Sequence, residues 1–399
     1  MIIGQFADVF PPEIDGVGMV VNAYCDTFTK QGKDTCYYIA PANPKYEGTK
    51  EYPVINFASL PMPHEAYRMG LPAIDPKLQL ELSKINFDVI HAHSPFTAGH
   101  YAALQADAHN LPLVATFHSK YYDDFLVKTG SEFLANVGVK YIVNFYNVCD
   151  EVWAVNEATA KVLHDYGFEK EIQVMPNGTN LWYPTEEDKK AAEERFQLGE
   201  GKVLLFVGQH NFKKNTRHII EALKIYADTG AKFRMVFAGQ GPDAEAMKQL
   251  VKDLGLDSCV SFVGHVIDRN ILMGLYARAD LLVFPSIYDN APMVVREAAA
   301  AGTPSLLIRG SCAAEGVTDG YNGYLCEDTP ESIEKTIERA LSDPNDVGGN
   351  ARNTIPMSWD AIINNVRGRY ENLVRQYKSG EKTRTEDWLK PLTELFEQK

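Results

Sequence analysis

Short apolar runs alternate with amphipathic stretches along the whole chain, and this alternation predicts parallel β-sheets in α/β layers. Several runs are apolar at almost every position, as strands covered on both faces require. The predicted strands form two series, at residues 1–9, 34–41, 88–94, 111–119, 151–156 and 172–178, and then at residues 202–209, 232–240, 259–266, 279–286 and 304–310. Helical segments are predicted between them, for example at residues 213–229, 243–255 and 330–342.

The polar stretch YPTEEDKKAAEER, residues 183–195, separates the two series. It marks the predicted boundary between two doubly wound, Rossmann-like domains at residues 1–183 and 184–364, with helices at about 365–399 packing back on the first. In open α/β sheets, ligands bind beyond the carboxyl ends of the strands. Two such domains facing one another across a cleft would bring those ends together, so the strand-to-helix turns are the candidate sites.

Charge and composition narrow the class of protein. A net charge of −14 argues against a nucleic-acid partner, which requires a basic surface. The six cysteines lie far apart without a Cys-x-x-Cys pair, which favours thiols in a reducing cytosol over disulfides or a zinc site. No apolar stretch approaches the ~20 residues that span a bilayer, and the N-terminus lacks the pattern of a signal peptide. We therefore expect a cytoplasmic protein.

The turn YDNAPMVVREAAAAG, residues 288–302, is the most informative candidate site. It follows a predicted strand and opens a predicted helix. Asp289 or Asn290 is a suitable N-cap, and Pro292 is tolerated only in the first helical turn. Gly302 is expected to end the helix.

This helix start has the groups needed for a phosphate and for sugars. The N–H groups of Met293 and Val294 would point out of the helix N-terminus, which favours anions. Glu297, about one turn further in, suits two hydrogen bonds to a sugar diol, and Asp289 in the loop would reach what lies beyond the phosphates. The alternative is a capping aspartate and a surface glutamate without function.

Three other turns carry candidate chemistry. Lys213 and Lys214 follow a strand near a helix start, where the helix dipole disfavours cations, so a bound anion would explain them; the alternative is a solvated lysine pair. Gly16 and Gly18 open the first predicted helix and would let a ligand approach the backbone, although a bare Gly-x-Gly is a weak motif. His118 ends a strand and is either structural or part of the site.

A resident metal is not indicated. His91 and His93 alternate on a predicted strand, but no third ligand accompanies them, so packing and hydrogen bonding is the preferred interpretation. The sequence contains no Asp-x-Asp with which carboxylates would hold a divalent metal on phosphates.

The set of motifs resembles the retaining glycosyltransferases of family 4, which have the two-domain GT-B fold. The motifs that carry this resemblance are FPPEIDGVG, FDVIHAHSPF, PLVATFHS, VMPNGTN, VGQHNFKKN, AGQGP, VSFVGHV, LYARADLLVFPS, AAAAGTPSLL, DGYNGYL and two carboxylates with seven residues between them. Residues 57–72 and 116–125 are similar to acceptor-side segments of bacterial enzymes that glucosylate diacylglycerol.

The resemblance implies a role for each candidate residue. The nucleotide-sugar site would comprise Gly16, Gly18, Gln209, Lys214, Val266, Asp289, Asn290, Ala291, Pro292, Met293, Val294 and Glu297. The acceptor side would comprise Arg68, His118 and Tyr122, and the catalytic residues would be His118, Asp289 and Lys214. By resemblance, Glu297 holds the ribose, Lys214 binds the diphosphate and Asp289 contacts the donor sugar, while His118 lies beside the reacting sugar.

Three positions depart from the usual family pattern. Asp289 stands where glutamate is usual, Gln209 where a phosphate-binding arginine is common, and Pro292 where glycine is usual. With Gln209, one charge-assisted phosphate contact is missing, so Lys214 and the helix N-terminus must stabilise the leaving group.

The implied reaction transfers a hexose, expected to be glucose from a UDP-sugar, with retention of configuration and without a metal or other cofactor. The acceptor would be diacylglycerol or, alternatively, a soluble or cell-surface glycan. Two further alternatives are a non-catalytic sugar-nucleotide sensor, which the departures at Asp289 and Gln209 would suit, and a nucleotide-sugar epimerase of the related fold.

The net charge of the first predicted domain indicates how strongly it would bind a membrane that contains the acceptor. Residues 1–182 carry 12 lysines and arginines against 21 acidic residues, whereas binding to an anionic leaflet usually relies on basic residues. Only a weak, peripheral contact with the inner face of the cell membrane is therefore expected. The apolar residues of the C-terminal stretch 386–399 would either lie on a membrane or, as we prefer, pack on the first domain.

Overall fold

The computed structural model describes residues 1–12, 15–46, 48–62, 68–179 and 183–384. The chain divides into two compact units, one formed by residues 1–177 and 359–399 and the other by residues 178–358. The predicted acceptor-side stretch 57–72 is described only in part, and the C-terminal stretch 386–399 lies outside the described residues.

Within the described part of the first unit, seven parallel strands form one sheet in the order β3-β2-β1-β6-β7-β8-β9, and β4 and β5 form a separate antiparallel pair. The strands are β1 (Ile2–Phe6), β2 (Thr35–Pro41), β3 (Val54–Phe57), β4 (Ser59–Pro61), β5 (Arg68–Gly70), β6 (Val89–Ala92), β7 (Leu113–Phe117), β8 (Glu151–Ala154) and β9 (Ile172–Val174). Every residue of β6 and β7 is buried, because helices cover both faces of this sheet.

Helices connect these strands because parallel neighbours require long crossovers. They are α1 (Gly16–Gln31), α2 (Pro76–Leu82), α3 (Thr97–His109), α4 (Tyr121–Thr129), α5 (Glu132–Asn147) and α6 (Glu157–Asp165), with a short 3-10 helix at Pro72–Ile74. Local sequence sets their limits: Asp15 caps the start of α1, and Gly32 ends it in the left-handed conformation.

The described residues of the second unit form one sheet of six parallel strands in the order β12-β11-β10-β13-β14-β15. The strands are β10 (Lys202–Val207), β11 (Phe233–Ala238), β12 (Val260–Gly264), β13 (Leu281–Val283), β14 (Ser305–Ile308) and β15 (Tyr324–Cys326). The helices are α7 (Glu186–Phe196), α8 (Thr216–Asp228), α9 (Ala244–Asp253), α10 (Arg269–Arg278), α11 (Met293–Ala301), α12 (Pro330–Ser342) and α13 (Val347–Thr354), with 3-10 helices at Phe212–Lys214 and Cys312–Ala314.

The prediction of two Rossmann-like α/β domains is confirmed, and each strand predicted from the sequence has a counterpart. Sequence patterns missed β3, β15 and the β4–β5 pair, which are short, at three or four residues each. The strand predicted at 279–286 ends earlier, at Val283. In the part of the chain that the structure describes, no helix is both long and apolar enough to cross a membrane.

The last described helix, α14 (Trp359–Lys378), belongs to the first unit. Its Arg367 donates to Asp34 over 2.6 Å, and both side chains are almost fully buried, at 9% and 4% exposed. On the same helix Arg369 pairs with Glu151 at 2.8 Å, but Arg369 is 31% exposed. Buried ion pairs are costly to break singly, because the remaining charge is left without a partner.

We expect Arg367→Ala to lower the free energy of unfolding by about 2 kcal/mol, since the buried carboxylate of Asp34 loses one of its two charged donors and keeps the N-terminal ammonium 2.7 Å away. Arg369→Ala is the matched control and should cost under about 1 kcal/mol, because water screens the exposed pair. Urea unfolding followed by tryptophan fluorescence measures both. Equal losses for the two variants would show that burial does not set the strength of these contacts.

Candidate functional site

The loop that precedes α11 differs from the sequence prediction. Neither Asp289 nor Asn290 caps the helix; the N-cap is Pro292, whose φ of −65° suits a helix start. The predicted side-chain cap is wrong because other groups hold the carboxylate of Asp289. Met293 and Val294 are still the first two helical residues, so their N–H groups have no partner within the helix.

Lys214 is the group that holds Asp289. Its Nζ donates to both carboxylate oxygens, over 2.6 and 2.8 Å, and the hydroxyl of Ser286 donates to the same carboxylate over 2.6 Å. The two charged side chains are 17% and 20% exposed, and Ser286 is fully buried. Two residues assigned by resemblance to different parts of the donor, its diphosphate and its sugar, therefore bind each other in the protein alone.

The two adjacent lysines are not equivalent. Both lie in the 3-10 helix Phe212–Lys214 that precedes α8. Lys213 is exposed, and its ammonium lies 5.4 Å from the ring centre of Tyr288. The interpretation as an ordinary solvated lysine pair is therefore wrong for Lys214, whose side chain is largely buried against Asp289.

A neighbouring glycine-rich loop supports this 3-10 helix. A Cβ on Gly239 would lie 1.9 Å from the carbonyl oxygen of Gly208, and one on Gly241 would lie 2.4 Å from that of His210. Only glycine therefore allows the two loops to pack so closely. The next residue but one, Asp243, accepts from the N–H of Phe212 over 2.8 Å. The motif AGQGP thus packs against the loop that follows β10, and Asp243 after it holds the first residue of the 3-10 helix.

Glu297 is buried, at 3% exposed, so the interpretation as a surface glutamate is wrong. Arg269 donates to one of its carboxylate oxygens over 2.7 Å, and the hydroxyl of Tyr276 donates to the other over 3.1 Å. The arginine is 36% exposed. A carboxylate with one donor on each oxygen retains acceptor capacity, because its two oxygens offer about four lone-pair sites.

The other candidates of the second unit lie at the carboxyl ends of its strands. Gln209 is exposed and lies two residues beyond β10, and Val266 is buried two residues beyond β12. Ala291 is half-buried in the loop before α11. This unit therefore brings every nucleotide-sugar candidate assigned to it to the carboxyl edge of one sheet.

In the first unit, the glycines open a helix as predicted, since α1 begins at Gly16. The carboxylate of Asp15 accepts from the N–H groups of Val17 and Gly18, over 2.8 and 3.1 Å. A Cβ on Gly16 would meet no described atom within 4 Å, and one on Gly18 would make ordinary contact with Val9. The protein fold alone does not require glycine at Gly16.

His118 lies directly after β7, and its Nε2 lies 3.1 Å from Nδ1 of His93. Burial lowers the pKa of His118 to about 3 and holds the pKa values of His91 and His93 well below the usual range. All three rings are therefore neutral near pH 7. His91 and His93 are hydrogen-bonded within the fold, which favours the packing interpretation, and no metal-binding cluster is found among the described residues.

The two remaining acceptor-side candidates make hydrogen bonds within the first unit. The guanidinium of Arg68, on β5, donates to the hydroxyl and to the carbonyl of Ser59, over 2.8 and 3.0 Å. Tyr122, on α4, is half-buried, and its backbone N–H donates to the hydroxyl of Tyr166 over 3.0 Å. Nothing in these contacts brings Arg68 and Tyr122 together.

Sequence reasoning missed the residues that hold the candidates in place. Ser286 and Asp289 are three apart, and this spacing next to a strand end was the available signal. Arg269 and Tyr276 lie 28 and 21 residues before Glu297, so no local pattern connects them to it.

Comparison with known proteins identifies the family. Residues 14–183 match Glycosyltransferase Family 4, and residues 188–354 match Glycosyl transferases group 1. These two ranges cover most of both units. The chain belongs to glycosyltransferase family 4.

Named relatives of this family 4 glycosyltransferase act on different acceptors. The alpha-monoglucosyldiacylglycerol synthase of Streptococcus pneumoniae is 25% identical over 76% of this chain and 70% of its own. The N-acetyl-alpha-D-glucosaminyl L-malate synthase of Bacillus anthracis is 24% identical over 92% of this chain and 97% of its own. HepE of Anabaena, solved with UDP and glucose, superposes with a TM-score of 0.75 at 18% identity, over 93% of this chain and 99% of that chain. Its likeness confirms the GT-B type of fold.

We expect Asp289→Asn to tighten the binding of a nucleoside diphosphate several-fold while it slows turnover. The variant removes the carboxylate that pairs with Lys214 in the protein alone. It also removes the repulsion between that carboxylate and the phosphates of the ligand. Calorimetry with the nucleoside diphosphate measures the first effect, and an initial-rate assay measures the second. Asp257→Asn is the control, since it removes one exposed charge from the same unit at the amino end of β12, away from Lys214. Weaker or unchanged binding to Asp289→Asn would contradict the idea that Lys214 leaves Asp289 for a phosphate.

Proposed function

We propose that this glycosyltransferase transfers glucose from UDP-glucose to a hydroxyl of diacylglycerol, retaining the α configuration and using no metal ion. The names of relatives such as the pneumococcal enzyme support the lipid acceptor, and the UDP and glucose bound to HepE support the donor. The protein would act in the cytoplasm, with a weak peripheral contact at the inner face of the membrane where the acceptor lies.

One observation carries the proposal: a buried carboxylate, a helix N-terminus and a lysine–aspartate pair lie at the same edge of the second unit's sheet. Glu297 suits the ribose diol, the N–H groups of Met293 and Val294 suit the diphosphate, and Asp289 suits the hexose beyond it. Lys214 would leave Asp289 for the diphosphate. This order follows a nucleotide sugar from its ribose to its hexose.

In the proposed reaction the bond between the anomeric carbon and the diphosphate oxygen breaks, and a bond to the acceptor oxygen forms on the same face of the sugar. Because the acceptor oxygen attacks from the face that the diphosphate leaves, the chain supplies no nucleophile, and because the acceptor proton passes to the leaving phosphate, the chain supplies no general base. Negative charge grows on the diphosphate as the bond breaks, and groups already aimed at it stabilise the transition state most. Lys214 and the N-terminus of α11 would have this role, with Gln209 giving a neutral contact.

Glu297→Gln tests the ribose contact without emptying the buried site. We expect it to weaken UDP binding by about 2 kcal/mol, because a charge-assisted hydrogen-bond pair becomes a neutral one. Titration calorimetry with UDP and with 2′,3′-dideoxy-UDP measures the effect. The unaltered protein should prefer UDP, and the variant should lose that preference; a variant that kept it would show that Glu297 does not hold the ribose diol.

The decisive experiment incubates the protein with UDP-glucose and diacylglycerol in mixed micelles, in EDTA, and measures UDP release and glucosyl-lipid. We expect an α-glucosyl lipid to form at the same rate in EDTA as in magnesium. Parallel reactions with L-malate and with oligosaccharides test soluble acceptors. Product formed only with a soluble acceptor would contradict the lipid acceptor. Loss of activity in EDTA would refute metal independence. UDP binding without transfer to any acceptor would indicate a sensor.

A further inference from the structure

Asn215 follows Lys214 directly and connects three loops of the second unit. It ends the short 3-10 helix that contains Lys214, with a φ of 62°, and its backbone N–H donates to the carbonyl of Phe212 over 2.9 Å. Its side-chain nitrogen donates to the carbonyl of Pro285 over 3.3 Å and also to the carboxylate of Asp328. The loops that follow β10, β13 and β15 are therefore joined through one side-chain amide.

The residue type at this position suits both its backbone and its side chain. Few residues other than glycine adopt the left-handed conformation, and asparagine and aspartate are among them. Both partners of the side chain are hydrogen-bond acceptors, so an aspartate could not replace the donating amide of Asn215. Asparagine is thus a residue that meets both requirements.

Helix capping does not explain the orientation of this side chain. Asn215 is the N-cap of α8, where an asparagine side chain ordinarily accepts a hydrogen bond from the first helical turn. Its amide instead reaches the two other loops. The side chain therefore contributes to the arrangement of the loops at the carboxyl edge of the sheet.

The carboxylate that receives this amide is itself held by α8. Nδ1 of His218, on the first turn of that helix, lies 3.0 Å from the same oxygen of Asp328. The two side chains are 32% and 39% exposed, so water weakens this contact. A hydrogen bond from an amide to a carboxylate is charge-assisted, so Asp328 is a strong acceptor for Asn215.

The ion pair between Lys214 and Asp289 also joins the loop after β10 to the loop before α11, over 2.6 and 2.8 Å. In the proposed function Lys214 leaves Asp289 for the diphosphate, so this ion pair breaks when the donor binds. The hydrogen bond from Asn215 to the carbonyl of Pro285 involves neither charged group. It can therefore hold the two loops together in both states of the lysine.

We propose that Asn215 is a positioning residue, which ties the loop that carries Lys214 to the loop that carries Asp289 and so keeps the lysine ammonium within reach of the leaving diphosphate. The proposal rests on the proposed function for the movement of Lys214 from Asp289 to the phosphates. Asn215 acts through Lys214 and does not itself bind the substrate.

Asn215→Gly tests this role, because glycine keeps the left-handed backbone and removes both side-chain hydrogen bonds. We expect a kcat about tenfold lower and a smaller change in KM for UDP-glucose, since charge grows on the diphosphate towards the transition state. Calorimetry should show weaker binding of UDP and unchanged binding of uridine, which has no phosphate.

Gln197→Gly is the matched control. Gln197 is exposed, ends α7 with a φ of 51° and lies before the amino end of β10, in the same unit but at the opposite end of that strand from Lys214. The control should leave kcat and the binding of UDP unchanged. Equal losses in Gln197→Gly and Asn215→Gly would show that glycine in a left-handed position, and not the loss of the amide, causes the effect.

A double-mutant cycle with Lys214→Met separates positioning from general stability. If Asn215 acts through Lys214, adding Asn215→Gly to Lys214→Met should change kcat and UDP affinity by less than about twofold, because the group to be positioned is already absent. The full loss of Asn215→Gly in the Lys214→Met protein would overturn the proposal. Unchanged kcat and UDP binding in a folded Asn215→Gly would also overturn it.

Circular dichroism and thermal unfolding show whether each variant is folded. Asp328→Ala gives a second reading if Asn215→Gly is not, because it removes one acceptor of the amide and keeps the bond to Pro285. We expect the same changes at a smaller size, and unchanged UDP binding in Asp328→Ala would then overturn the proposal. The calorimetry needs no transfer, so a protein that binds UDP without transferring glucose would count against the proposed function and not against the role of Asn215.

Discussion

The parallel arrangement of strands is the constraint on which the structure of each unit depends. Parallel neighbours cannot be joined by tight hairpins, so long crossovers, most of which carry a helix, join the strands of each sheet. All carboxyl ends then lie at one edge of the sheet, and the loops leaving that edge gather residues far apart in sequence. Lys214, after β10, and Asp289, after β13, meet for this reason, although 75 residues separate them.

The charged groups of the donor-site candidates already have partners in the protein alone. Lys214 holds Asp289, and Arg269 with Tyr276 holds Glu297. Partly buried charges need such partners, because an uncompensated charge away from water is costly. Substrate binding at this family 4 site would therefore be an exchange of ionic partners rather than the filling of an empty charged pocket. The short side chain of Asp289, where glutamate is usual, fits the bidentate contact with Lys214.

The candidate residues of the two units differ in charge and in the kind of contact that holds them. The charged candidates of the second unit are Lys214 and Asp289, which are partly exposed, and Glu297, which is buried, whereas His118 of the first unit contacts the buried neutral side chain of His93. Neutral groups carry no desolvation penalty for a buried charge. Helix α14 contributes Tyr370, whose hydroxyl accepts a hydrogen bond from the amide of Gln5.

The sequence by itself determined the class of fold, eleven of the fifteen described strands in their order, the family and the turns in which candidate residues lie. Apolar runs of strand length and glycines at loop positions are local signals, so they can be recognised in the sequence without knowledge of the tertiary structure. Tertiary structure decided what each candidate contacts. The cap on α11 was predicted wrongly because helix-cap preference was outweighed by an ion pair to Lys214, a partner no local pattern reveals. The burial of Glu297 and the contact of His118 with His93 likewise depend on residues brought close only by the crossovers, since contact across a sheet edge is set by topology and not by spacing along the chain.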